Sequence, residues 1–193
     1  MALEDGPGKP SLGMSTAVPY PPQTNVLKVS WDATLAAHAQ AYADQCNYGH
    51  NSAILNQYSE GENLAASASS SGFQDTNYCI DKAVNNWFKE FETSSLTEGG
   101  KATGPVHYLL ADVQGPVIGH ATQGDWASTK TIGCGVKQCS INSPFGGSFS
   151  QWTYTVCRYK PRGNYLNSAI FENGPTGSNC PPGTSKGADG LCA

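Results

Sequence analysis

Apolar positions in residues 30–46, SWDATLAAHAQAYADQC, recur at helical spacing. Leu35, Ala39, Tyr42 and Cys46 fall on one face, and Ser30 or Asp32 stands where a helix cap belongs. A second run, residues 80–94 (IDKAVNNWFKEFETS), places Val84, Trp87, Phe88 and Phe91 at i, i+3, i+4 and i+7 and predicts another helix. Between them lies ENLAASASSSGFQDTNY, rich in Ser, Ala and Gly, whose start is compatible with helix and whose middle reads as a mobile loop. Three later runs predict strands, at 117–126, 132–138 and 152–159. WTYTVCRY, in the last of these, is richest in aromatic and β-branched residues, and Gly146 and Gly147 break the chain before it, as neighbouring antiparallel strands require. Helices followed by such strands, without strict alternation, predict an α+β fold.

The ends of the chain are different in character. Residues 1–28 are rich in Gly, Pro, Ser and Thr and read as an extended arm. Residues 29–171 then form the folded domain, and residues 172–193 a short tail bounded by cysteines, CPPGTSKGADGLC. The opening MALEDGPGKP has no apolar core of the kind a signal peptide needs, so a signal peptide is absent from this chain, and no stretch reaches transmembrane length. No internal repeat is visible.

Composition narrows the function classes. Charged residues are 13% of the 193, and the formal charge of −4 argues against nucleic acid or an anionic membrane as a partner. A local exception is CRYKPRGNY, with Arg158, Lys160 and Arg162 close together. Seven cysteines in so sparsely charged a chain point to an oxidising compartment and disulfides. Structural zinc is the rival reading, but there is no C-x-x-C, and the nearest pair, Cys134 and Cys139, has no second pair to complete a site. The odd count leaves one thiol over. No N-x-[ST] sequon is present.

Four ionisable residues stand in suggestive contexts: His50 in CNYGHNS, Glu62 in SEGENLA, Glu90 in NNWFKEF and His120 in IGHATQ. Spacing alone does not join them. Each has an ordinary structural explanation, as a helix-end histidine, a turn carboxylate, a solvent-facing helix residue and a satisfied core imidazole. No nucleophile motif accompanies them: G-x-S-x-G is absent, and Ser52 beside His50 has no activating context.

Taken together and in order, GHNS, GENLA, GHATQ with the following IGCGVK, and VCRYKP resemble the CAP superfamily of cysteine-rich secretory, antigen 5 and PR-1 proteins. WDATLAAHAQAYADQC and the tail look most like its nematode branch, the SCP-like or venom allergen-like proteins. The resemblance runs from about residue 23 to 193 and identifies residues 29–171 as a CAP domain. It implies a three-layer α-β-α sandwich with a central antiparallel sheet. The family's first helix precedes NVLKVSWD, and nothing helical is legible in residues 1–16.

The same resemblance implies that His50, Glu62, Glu90 and His120 converge on one cleft, with His120 projecting from a strand toward His50. His50 and His120 are then candidate zinc ligands, with a Glu available as base on a bound water. It pairs Cys46 with Cys134, Cys139 with Cys157 and Cys180 with Cys192, leaving Cys79 unpaired. Ala121, Gly124 and Asp125 depart from the family's usual residues, and strand alternation would put Thr122, Gly124 and Trp126 on the face of His120. No common catalytic activity and no required cofactor are implied. The implied function is a secreted, extracellular binding protein, a nematode effector that modulates host defence by engaging a host extracellular protein, a papain-like cysteine protease among the candidates. Two alternatives stand beside it. One is a sterol or fatty-acid carrier with a slot lined by Leu35, Tyr42, Trp87 and Phe88; the other is a divalent-metal-dependent hydrolase working from the tetrad.

Overall fold

The computed structural model describes residues 22–93, 104–107 and 118–193. The arm as far as residue 21, with the stretch where the family's first helix would lie, falls outside the described residues, as do residue 94 of the expected second helix and residue 117 of the first expected strand. In chain order the elements are β1 (Ser30–Trp31), α1 (Ala33–Ala43), α2 (Ser52–Tyr58), β2 (Gly61–Ala68), α3 (Thr76–Thr93), β3 (Gly104–His107), α4 (Gly119–Gly124), β4 (Thr131–Cys139), β5 (Trp152–Lys160) and β6 (Ala169–Asn173).

The main sheet has the order β1-β4-β5-β2, with β3 and β6 forming a separate pair. Its pairings are antiparallel except for the short β1, which runs parallel to β4. Asp32, not Ser30, caps α1: its carboxylate accepts from the amides of Thr34 and Leu35 at 2.8 and 3.1 Å. Asp75 accepts from the Tyr78 amide at 3.0 Å, and α3 therefore starts before the apolar stripe that predicts it.

Alternation along β5 builds the layers. Trp152, Tyr154 and Val156 pack with Ala39, Tyr42 and Ala43 of α1 on one face. Cys157 and Tyr159 pack with Ala83 and Trp87 of α3 on the other. Helix, sheet and helix are thus stacked in an α+β, α-β-α arrangement. On β4 the glycines of IGCGV meet α1 directly. A Cβ at Gly133 would lie 2.1 Å from the Ala36 amide nitrogen, and one at Gly135 would lie 2.4 Å from the Gln40 Cα. The helix can approach the strand this closely only where no side chain intervenes. Gly135→Ala is therefore expected to cost about 1–3 kcal/mol, whereas Gly147→Ala, with nothing within 4 Å, should stay within about 0.5 kcal/mol. Urea denaturation of the two variants checks this.

Two expected elements are corrected. The start of ENLAASASSS is not helical: residues 61–68 form β2, each paired with a residue of β5 from Gly61↔Tyr159 to Ala68↔Trp152. The expected strand at 117–126 is instead the short helix α4. Its first-turn amides are satisfied by a carboxylate from α3, described below, and its residues Ala121 to Gly124 are all buried. The alternation expected for Thr122, Gly124 and Trp126 accordingly does not apply.

Strand parity also corrects the disulfides. The bridges are Cys46–Cys139 and Cys134–Cys157, in place of Cys46–Cys134 and Cys139–Cys157. Cys134 and Cys139 stand an odd number of residues apart on β4, so their side chains leave opposite faces of the sheet. Cys139 faces α1, and Cys46 lies just beyond the end of that helix. Cys134 lies directly across from Cys157 in the β4–β5 register and shares its face. Cys180–Cys192 is present, and Cys79 is a buried free thiol. The tail folds back on residues 24–28. The Cys192 amide donates to the Val26 carbonyl at 2.9 Å, and Lys28 pairs with Asp189 at 3.3 Å. Burial pushes the Asp189 carboxyl up, but the Leu191 amide and Lys28 outweigh it and hold the group below its ordinary value.

Candidate functional site

His50 sits immediately before α2, whose N-cap is Asn51, and the preceding turn is pinned by the Tyr42 hydroxyl, which donates to the Gly49 carbonyl. Burial first, and Glu62 second, push that hydroxyl above its ordinary range despite Arg158, so it remains a neutral donor. Glu62 lies on β2 directly opposite Arg158 of β5. Its Oε1 is 2.7 Å from His50 Nδ1, and its Oε2 is 2.8 Å from Arg158 Nη2. Arg158 is fully buried, and its guanidinium also stands 5.1 Å from the centre of the Tyr42 ring.

The array continues past the arginine. Arg158 Nη1 is 3.6 Å from Glu60 Oε2, and Glu60 Oε1 is 2.7 Å from His38 Nδ1 on α1. One buried cation is thus held between two buried carboxylates, each with a histidine at its outer end: His38–Glu60–Arg158–Glu62–His50. Desolvating these charges is tolerable only because each faces an opposite charge or a hydrogen-bond partner.

His120 belongs to the second couple. It opens α4, where Glu90 of α3 receives its Nδ1 at 2.6 Å and accepts from the amides of His120 and Ala121 at 3.0 and 3.1 Å. Glu90 therefore caps α4 from thirty residues away in sequence. The His120 ring stacks on Trp87 at 5.9 Å, and the Trp87 indole N–H donates to the Leu64 carbonyl at 3.2 Å. Asn63, the neighbour of Glu62 but on the opposite side of β2, donates to the His120 carbonyl at 2.9 Å and to the Tyr159 hydroxyl at 3.1 Å. The edge strand β2 thus carries one His–Glu couple toward α1 and anchors the other beside α3.

The structure therefore joins His50 to Glu62 and His120 to Glu90. His120 reaches its place from a helix, correcting the expectation of a strand. Both imidazoles use Nδ1 on a carboxylate, leaving Nε2 to point away from it. That is how histidine ligands are commonly oriented, and it suits either ring for a metal. Among the described residues, however, no group of three or more His, Cys, Asp or Glu side chains is placed to hold one ion. The described residues thus form no closed cage of three such donors.

Sequence reasoning missed His38 and Glu60 and misplaced Arg158 in a surface basic cluster. The signal was present in WTYTVCRY: an arginine in step with Trp152, Tyr154 and Val156 must enter the same covered face and requires carboxylates there. The lipid slot is also corrected. Leu35 and Tyr42 lie on α1, whereas Trp87 and Phe88 lie on α3, with the sheet between the two helices.

Residues 20–159 match the cysteine-rich secretory protein family, CAP. The chain belongs to the CAP family. Among its CAP relatives, scoloptoxin SSD552 of Scolopendra dehaani is 32% identical over 172 residues, covering 89% of this chain and 72% of the relative. Peptidase inhibitor R3HDML of Mus musculus is 33% identical, covering 84% of this chain and 60% of its own length. The crystal structure of NaASP2 with Zn2+ superposes with a TM-score of 0.70 at 28% identity, covering 90% of this chain and 80% of that one. The CAP chain is thus similar to these relatives in sequence and to NaASP2 in fold.

Proposed function

We propose that this CAP protein is a secreted binding protein that engages a host extracellular protein through its loops and so modulates host defence. The observation that carries this reading is a group of large apolar side chains at one end of the sheet. Tyr48, Phe73, Tyr78, Ile141 and Phe145 are 40–61% exposed there. Their loops are tied together: Trp152 Nε1 donates to the Ile141 carbonyl at 2.8 Å, the Tyr48 ring lies 6.3 Å from Trp152, and Gln138 Nε2 donates to the Gln74 carbonyl at 3.1 Å. Aromatic and aliphatic residues held in this way are the usual anchors of a protein interface.

The candidate site supports binding over hydrolysis. Both Glu62 oxygens are engaged, by His50 and Arg158, and both Glu90 oxygens by His120 and the α4 amides. Each carboxylate thereby holds its histidine in place, and no nucleophile motif accompanies the pairs.

The resemblance to venom allergen-like proteins, and the relative named a peptidase inhibitor, direct the first test to a papain-like cysteine protease. The folded chain should inhibit such a protease and be captured by it. The paired change Ile141→Ser and Phe145→Ser should weaken capture by roughly tenfold or more, the loss of two anchors. Undiminished capture by that variant would place the interface elsewhere.

A further inference from the structure

The cluster Lys130, Lys160 and Arg162 is not used by the site or by the loop surface. It lies at the opposite end of the sheet, where β4 begins and β5 ends: the Lys130 amide donates to the Lys160 carbonyl at 2.9 Å. Lys160 Nζ reaches the Tyr58 carbonyl at 3.4 Å, and Arg162 Nη1 reaches Asn56 Oδ1 at 2.5 Å, both near the end of α2. Lys28, Lys137 and Arg158 each have a carboxylate partner. Among the described residues, Lys130, Lys160 and Arg162 have none. The carboxylate nearest in sequence to Tyr58, Glu60, is buried and engaged by His38 and Arg158. Tyr58, whose carbonyl Lys160 reaches, is 39% exposed, and its ring lies 4.3 Å from the His38 ring. Asn56, Gln57 and Ser59 around it are exposed and polar.

We propose that this end of the molecule binds a sulfated polysaccharide, with Lys130, Lys160 and Arg162 receiving sulfate groups and Tyr58 stacking against a sugar ring. A sulfate ester keeps its charge at any physiological pH and is carried on pyranose rings, whose C–H faces suit an exposed aromatic ring. An acidic peptide offers Tyr58 no such face. A lipid surface would call for a broad apolar face beside the cations, and the exposed residues flanking Tyr58, namely Asn56, Gln57 and Ser59, are amides and a hydroxyl. The chain's net charge of −4 makes the attraction local, so binding is to this strip and not to the molecule at large.

Calorimetric titration of the full chain with a sulfated heparin hexasaccharide, its desulfated form, and vesicles of phosphatidylcholine and phosphatidylserine in equal parts tests the proposal. The sulfated sugar should bind and the desulfated one should not. The Lys130→Gln and Lys160→Gln pair should weaken binding roughly tenfold or more and lower the salt slope by about two, by release of fewer counterions. Tyr58→Ala should weaken it with little change in that slope. The single variant Lys130→Gln, whose side chain has no ion pair in the fold, guards against simple unfolding and should lower the slope by about one. Absence of binding, equal binding of the desulfated sugar, unchanged affinity of Lys130→Gln, or tighter binding to the vesicles would overturn the proposal.

Discussion

Replacing Arg158 with Ala is expected to destabilise the fold by about 3–5 kcal/mol, because it strands two carboxylates in the interior. Glu60 and Glu62 are 1% and 7% exposed, and the guanidinium between them is the cation that offsets their burial. For a chain of this size such a loss corresponds to a melting temperature lower by roughly 6–20 °C. A control separates charge from packing. Arg158→Met combined with Glu60→Gln and Glu62→Gln removes all three charges together, and a buried array replaced by neutral groups is often near neutral in stability. The triple variant should therefore melt above Arg158→Ala. Calorimetry of the two gives the comparison; a single variant as stable as the parent would mean that the array does not hold this face of the sheet.

Opening the Cys46–Cys139 bridge is the other change of comparable size. It joins residues 93 apart in sequence, and the chain-entropy model assigns about 4–5 kcal/mol to a loop of that length. A domain's whole stability is about 5–15 kcal/mol, so roughly a quarter or more of it rests on this one link. The tail bridge Cys180–Cys192 spans only 12 residues, for which the same model gives about 3 kcal/mol. Thermal scans of Cys46→Ser/Cys139→Ser and of Cys180→Ser/Cys192→Ser should show the larger drop in the first. Peptide mapping without reductant should recover Cys46 linked to Cys139. A Cys46–Cys134 peptide would contradict the parity argument.

What the sequence makes legible follows from how local each cause is. The start of α1 is fixed by Asp32 and the Leu35, Ala39, Tyr42 stripe, all within a few turns, and can be read directly. The β4–β5 pair is equally plain, because WTYTVCRY and the glycine break are neighbours in the chain. Helix α4 is not legible, since Ile118 at its N-cap makes no side-chain cap and the capping carboxylate is Glu90 of another helix. GHATQG therefore alternates well enough to imitate a strand. The disulfide pairing and the burial of Arg158 are intermediate cases. Both follow from two-residue alternation once β4 and β5 are accepted, with Cys134 and Cys139 on opposite faces and Arg158 in step with Val156. The partnership of His38 with Glu60 requires α1 laid across the sheet and cannot be read from spacing.

On this reading, binding belongs to the loops and not to the chemistry of the His–Glu couples. Capture of a papain-like protease by the double variant His50→Ala/His120→Ala tests it most directly, with zinc titrated into the same sample. Glu62 keeps Arg158 and Glu90 keeps the α4 amides in this variant, so the fold should persist. Capture should be unchanged, while any zinc affinity of the parent, modest because the described residues supply no cage of three donors, should be lost. Loss of capture in a variant that still melts like a folded domain would contradict it and place the activity at His50 and His120.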